Sequence, residues 1–265
     1  MIETQDPIRL FDLTGKHALI TGAGGGIGTA LCRGFASYGA KIACLDISAR
    51  IAQSAVSVVE QGGSEGIPIV CDVSDPDQIE QSVEATITEF GELDILINLA
   101  GRGLLKPATE ISRLEWDHVI NVFLRSTFLF CQAAGRHMIE RSEGSIVNIS
   151  SIASLVALGR GVAPYSAAKA GINALTRELA IEWARQGVRV NAIAPCRILT
   201  APLQDLLNDP TTDAEALMAS WTDEMPIGRL GKPEEIVGPA IFLASNAASL
   251  VTGHVLTVDG GYTIM

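Results

Sequence analysis

Short apolar runs alternate with longer amphipathic stretches along almost the whole chain, and few architectures accommodate that pattern. Residues 17–21 (His-Ala-Leu-Ile-Thr) read as a first strand and 27–38 as the helix after it. Residues 41–46 give a second strand, with Ser48 placed to cap the next helix. A third strand spans 67–71, and Ser74 and Asp75 open a helix reaching about Phe90. Residues 94–98 form a fourth strand whose unbroken Ile95, Leu96 and Ile97 suit a parallel strand covered on both faces. A long helix over about 112–138 leads to a strand at 145–150, and a helix over about 164–185 leads to one at 188–193. Pro233 sits at the first turn of a last helix, and 254–258 is a last strand. The expectation is an α/β, doubly wound Rossmann fold: a seven-stranded parallel sheet flanked by helices on both faces. With no repeat, low-complexity tract or linker, residues 1–265 read as one domain. Residues 201–223, broken by Asn208, Asp209 and Pro210, read as a helical lid over the substrate.

The joint between the first strand and helix is Thr21-Gly22-Ala23-Gly24-Gly25-Gly26-Ile27-Gly28. Glycines there let the backbone approach a pyrophosphate, which would rest on the N–H groups and positive end of the helix. Asp46 ends the second strand, where a carboxylate accepts both adenosine ribose hydroxyls and repels a 2′-phosphate, favouring NAD over NADP. No Arg or Lys in the glycine turn offsets that repulsion. Asp72, after the third strand, either accepts from the adenine amino group or caps the next helix. Ser150 and Ser151 end the fifth strand, on the carboxyl edge where open α/β sheets bind ligands. Tyr165 and Lys169 stand four positions apart, on one face of a helix. An ammonium beside a phenol favours phenolate and lowers a pKa that is ordinarily about 10. That pair is a proton-transfer candidate.

Thr21 to Gly28, Asn98-Leu99-Ala100-Gly101, Asn121 in the long helix, Ser150-Ser151, Tyr165-x-x-x-Lys169 and Asp259-Gly260-Gly261 together resemble the short-chain dehydrogenase/reductase family. The likeness runs from about Leu13 to Tyr262, in the family's order and spacing. It implies a catalytic tetrad in which Asn121 holds a relay water and Ser151 bonds the substrate oxygen. Tyr165 would be the acid/base, and Lys169 would bind the nicotinamide ribose and lower the Tyr165 pKa. It also implies cofactor contacts from Gly22, Gly26, Ile27, Gly28, Asp46, Asp72, Val73, Asn98, Ala100, Gly101, Tyr165, Lys169, Ile198 and Thr200, the last holding the carboxamide. Two positions depart from the pattern: Leu99 stands where a second Asn is usual, and Cys196 where Gly follows Pro195. A side chain at 196 restricts the nicotinamide-side loop, and an exposed thiol there would be open to oxidation. Family members commonly form tetramers through the two long helices, which implies a homotetramer.

Substrate is a separate question. Arg102, Arg160 and Arg197 fall in loops expected around the reacting carbon, beside Ser151 and Tyr165. Guanidinium forks bind carboxylate or phosphate, so the arginines point to an anionic polyol or sugar acid. They would instead be spent if each paired with a lid carboxylate such as Asp205 or Glu215. Leu10 to Lys16 also resembles the start of gluconate 5-dehydrogenase-like members. The expected activity is hydride transfer between NAD and a secondary alcohol or ketone. Alternatives are a 3-oxoacyl-carrier-protein reductase type, which Asp46 disfavours, and a neutral polyol dehydrogenase. A dinucleotide-sensing scaffold would be expected to have lost part of the tetrad.

A net charge of −11 argues against nucleic acid and anionic membranes as partners. Met1 to Leu13, with Glu3, Asp6 and Asp12, lacks a signal-peptide core, and no apolar run is long enough to span a bilayer. The five cysteines are scattered without a CxxC pair, and the four histidines are equally dispersed. This pattern suits reduced thiols in a cytoplasmic protein and no metal site.

Overall fold

The computed structural model describes residues 7–209 and 213–265. Glu3 and Asp6 of the opening stretch, and Pro210 of the expected lid, lie outside the described residues. The chain runs β1 (His17–Thr21), α1 (Gly26–Ser37), β2 (Lys41–Asp46), α2 (Ala49–Gln61), β3 (Gly66–Val70), α3 (Pro76–Phe90) and β4 (Ile95–Asn98). It continues with α4 (Arg113–Ile120), α5 (Ser126–Arg141), β5 (Gly144–Ile149), α6 (Ala163–Trp183) and β6 (Val188–Pro195). Then follow α7 (Ala201–Asn208), α8 (Ala214–Thr222), α9 (Val237–Ala244) and β7 (Val255–Val258). The seven strands form one parallel sheet in the order β3-β2-β1-β4-β5-β6-β7.

Alternation along each strand feeds two apolar layers. Ala18, Ile20, Ile42, Cys44, Ile95 and Ile97 point to one face, where Leu31 and Phe35 of α1, Val56 and Val59 of α2, and Ile241 of α9 cover them. Leu19, Ala43, Leu45, Leu96 and Ile146 point to the other, under Ile79 and Val83 of α3, Phe130 and Met138 of α5, and Leu179 and Trp183 of α6. Both faces of the central strands β1 and β4 are therefore buried, which suits their unbroken apolar runs.

Several local expectations shift for physical reasons. Ser48 does occupy the N-cap of α2, but its hydroxyl accepts no capping bond. At α3 the cap is Asp75, whose Oδ1 accepts from Asp77 N at 3.0 Å and Gln78 N at 3.4 Å. Asp72 caps nothing there; its Oδ1 accepts from Ser74 N at 2.9 Å and Ser74 Oγ at 2.8 Å. The single helix expected over 112–138 is two helices joined by a π-helical turn, Asn121–Arg125. Such a turn widens the hydrogen-bonding ring by one residue without needing Pro or Gly, so the sequence carries little trace of it. β6 runs two residues beyond the expected end, to Pro195.

Beneath the carboxyl edge lies a buried polar knot. Asn98 Nδ2 donates to Asn148 Oδ1 at 2.9 Å, and Asn148 Nδ2 donates to Thr176 Oγ1 at 3.0 Å. The knot ties β4, β5 and α6 together just below the loops that carry the site.

Candidate active site

At the β1–α1 joint, Gly25 provides no side-chain cap, so the first N–H groups of α1 remain available to an anion. Close packing explains the glycines. A Cβ on Gly28 would meet Gly22 O at 2.1 Å and Ala23 Cα at 2.9 Å, both backbone. Gly22 has φ +68°, and a Cβ there would meet Ala100 Cα at 3.0 Å. Thr21 fixes the facing turn: its Oγ1 accepts from Leu99 N at 2.9 Å and Ala100 N at 3.1 Å, and donates to Ile97 O at 3.3 Å. Thr21 was legible only as the first letter of the glycine motif, and the structure gives it this bridging task. Gly28→Ala should raise the dissociation constant for NADH at least about tenfold and lower Tm, since the clash is with backbone. A fluorescence titration and a thermal melt would check this.

These residues line a groove of about 520 Å³. Gly22, Gly26, Ile27, Gly28, Asp46, Asp72, Val73, Ala100, Gly101 and Thr200 all stand on its wall. Asp46 Oδ2 accepts from Gly24 N at 3.2 Å, which leaves the other oxygen open to the groove. Asn98 is not on the wall; it belongs to the buried knot under it. Ile198 lines the neighbouring cavity. The sequence reading missed Leu45, Ile47, His118 on α4 and Val122, none of which belongs to a motif.

That second cavity, about 390 Å³, shares Ile27, Leu99, Gly101 and Thr200 with the groove. Ser151, Tyr165 and Lys169 line it, with Leu104, Leu105, Phe123 and Val162 as apolar wall. The Tyr165 ring packs edge-on against Phe123 at 5.1 Å between centroids. Lys169 Nζ lies 4.7 Å from the Phe123 ring centre and 5.6 Å from that of Tyr165, and donates to Ile149 O at 2.5 Å. Asn121, at the start of the π-helical turn, is half-buried and not among the cavity-lining residues.

Burial sets the electrostatics of the pair. It pushes the Tyr165 phenol up, while the Ser151 hydroxyl pulls the other way. Burial also lowers the Lys169 ammonium to about 7, and its Nζ donates to the Ile149 carbonyl. Cys196 lines the cavity too, its Sγ 3.3 Å from Met225 Sδ. Burial pushes its thiol up, so the residue lacks the thiolate character that easy oxidation needs.

The three arginines do not line the reaction cavity. Arg102 stands on the groove. Arg160 and Arg197 both bind Glu224, one on each carboxylate oxygen, a partner that the sequence reading did not name.

Among the described residues, His17, Glu92 and Asp94 bring potential metal ligands within 4.8 Å. Lys16 and Arg141 already hold these carboxylates, which disfavours a cation. No described helix is long and apolar enough to cross a membrane.

A family model described as enoyl-(acyl carrier protein) reductase matches residues 22–263. A short-chain type dehydrogenase/reductase from Mycobacterium marinum superposes with a TM-score of 0.90 at 33% identity, over 97% of this chain and 99% of that one. The chain belongs to the short-chain dehydrogenase/reductase family. This short-chain dehydrogenase/reductase is 42% identical to D-threitol dehydrogenase of Mycolicibacterium smegmatis, over 96% of its own length and 95% of the relative's. It is 40% identical to gluconate 5-dehydrogenase of Gluconobacter oxydans, over 96% and 97%. It is thus an oxidoreductase acting on CH–OH with a nicotinamide dinucleotide.

Proposed function

We propose that this protein is an NAD-dependent dehydrogenase that interconverts a secondary hydroxyl and a ketone on a polyol or sugar acid. The observation that carries the reading is the shared wall. Tyr165, Lys169 and Ser151 stand in a cavity that opens, past Ile27, Leu99, Gly101 and Thr200, into the dinucleotide groove. A small hydroxylated substrate in that cavity lies beside both a proton acceptor and a hydride acceptor. The substrate class is supported by the threitol- and gluconate-oxidising relatives.

The groove fits the cofactor. Gly22 and Gly28 have no room for a side chain, the α1 N-terminus has open N–H groups, and Asp46 lines the groove. When bound, the dinucleotide supplies the hydride acceptor. Asp46 binds its ribose hydroxyls and, by charge, excludes a 2′-phosphate; this favours NAD, although a gluconate 5-dehydrogenase from Burkholderia cenocepacia (35% identity) has been solved with NADP and tartrate. Tyr165 takes the hydroxyl proton, Ser151 donates to the substrate oxygen, and Asn121 holds a water that carries the proton onward. Lys169 binds the nicotinamide ribose, a contact that would restore its charge and with it its pull on the phenol. Residues 201–223, with α7 and α8, act as the lid of one domain spanning 1–265. Assembly is a homotetramer, supported by Phe128 on α5 (40% exposed) and Ile181 on α6 (81% exposed). The working compartment is the cytoplasm.

The test is NADH or NADPH formation at 340 nm over a panel of alditols, aldonates and 3-hydroxyacyl thioesters. Turnover of an alditol or aldonate is expected, with kcat/KM for NAD about 10²-fold above NADP, since a phosphate beside Asp46 adds like-charge repulsion. Turnover of the thioesters alone, or a preference for NADP, would overturn the assignment.

A further inference from the structure

The arginine pair has a resident carboxylate. Arg160 Nη2 binds Glu224 Oε1, and Arg197 Nη2 binds Glu224 Oε2. The three residues come from separate loops: between β5 and α6, after β6, and after α8. Arg197 is held further by Trp221 O, which accepts from its Nη1 at 2.9 Å, and its guanidinium carbon lies 5.7 Å from the Tyr262 ring centre. Tyr262 Oη donates to Glu224 Oε2 at 3.3 Å. Arg197 is 16% exposed and Arg160 33%, so the pair is partly shielded while Glu224 forms its outer face at 40%.

This cluster borders the reaction cavity. Arg197 lines a small pocket that shares Cys196 and Ile198 with it, and Val162, two residues beyond Arg160, lines the cavity itself. Within the cavity wall Lys169 is the charged side chain, and it is turned to Ile149 O. A neutral polyol therefore meets a wall that presents no guanidinium. A sugar acid would have to displace Glu224 from two charge-assisted bonds to reach a guanidinium.

The geometry points to Glu224 as the residue that sets charge preference, holding Arg160 and Arg197 so that neutral polyols are favoured over sugar acids. This rests on the polyol or sugar-acid reading above and makes it narrower. Glu224 touches neither Tyr165 nor the groove lining, so it acts through the arginines and not on the chemistry.

The test compares carbon-matched pairs, threitol with threonate and glucitol with gluconate, under saturating dinucleotide. The wild-type protein should favour the alditols. Glu224→Gln keeps the side-chain shape and removes the charge; it should raise kcat/KM for the acids relative to the alditols about tenfold, mostly through KM. Adding Arg197→Met to that variant should cancel the gain. An unchanged ratio in a Glu224→Gln protein with wild-type Tm and NADH affinity would overturn the inference, as would a wild-type preference for the acids. Should the variant not fold, tartrate inhibition of wild-type alditol oxidation decides: weak inhibition is expected, and an inhibition constant below the alditol KM would overturn the proposal. Failure of the wild-type protein to oxidise either member of either pair would instead remove the substrate reading itself, and this inference with it.

Discussion

Tyr165→Phe should lower kcat/KM about 10³-fold in both directions, within the range typical of losing a general acid–base group. The dinucleotide affinity and Tm should hardly move. The phenyl ring keeps its edge contact with Phe123 and its place near Lys169, so only the hydroxyl is lost. The pH profile carries the sharper signature. Oxidation needs the phenolate and reduction needs the phenol. Burial raises the Tyr165 pKa in the free protein, and a recharged Lys169 draws it back when the dinucleotide binds. The kcat/KM for oxidation should therefore climb as pH rises through the titration of the phenol. The reduction rate should fall over the same range. Tyr165→Phe should flatten both limbs. A wild-type oxidation rate independent of pH between 7 and 10 would exclude Tyr165 as the titrating base.

Asp46→Ala should raise the KM for NAD about 10²-fold, because two hydrogen bonds to a charged acceptor are lost at roughly 1.5–3 kcal/mol each, partly offset by water. The same change should raise kcat/KM for NADP, since the like charge facing a 2′-phosphate is gone. Initial rates with both dinucleotides, at one saturating polyol concentration, measure the two effects together. If NAD and NADP respond in parallel, Asp46 faces something other than the ribose. Asp46 also accepts from Gly24 N, so a small loss of Tm is expected and serves as an internal control for the altered turn.

Much of this was written in local pattern. Strand residues such as Ile95, Leu96 and Ile97 have period two and both faces buried, and a glycine turn between strand and helix has few other uses. Tyr165 and Lys169 were legible as a pair because four residues of helix place them on one face. What escaped was set by tertiary contact. Glu224 meets Arg160 across 64 residues and Arg197 across 27, so no local spacing signals it. Asp205 and Glu215 looked equally suitable on charge alone. The π-helical turn at Asn121 left no mark, since Asn-Val-Phe-Leu-Arg contains neither Pro nor Gly to interrupt the helix. The burial of Lys169 escaped for a related reason. Sequence showed the ammonium beside the phenol but not the desolvation that drops it to about 7.

The strand order has a consequence for how the molecule assembles from its N-terminus. β1 pairs with β2 on one side and with β4 on the other, so the sheet grows outward from β1 in two directions. The first half can lay down β3-β2-β1 with α1 and α2 on its face, but its open edge stays unpaired until residues 95–98 emerge. Because Thr21 holds the Leu99–Ala100 turn, the glycine turn and this part of its facing wall come together at that same moment. A nascent chain that stops short of β4 would therefore display a half-built nucleotide site along an exposed strand edge.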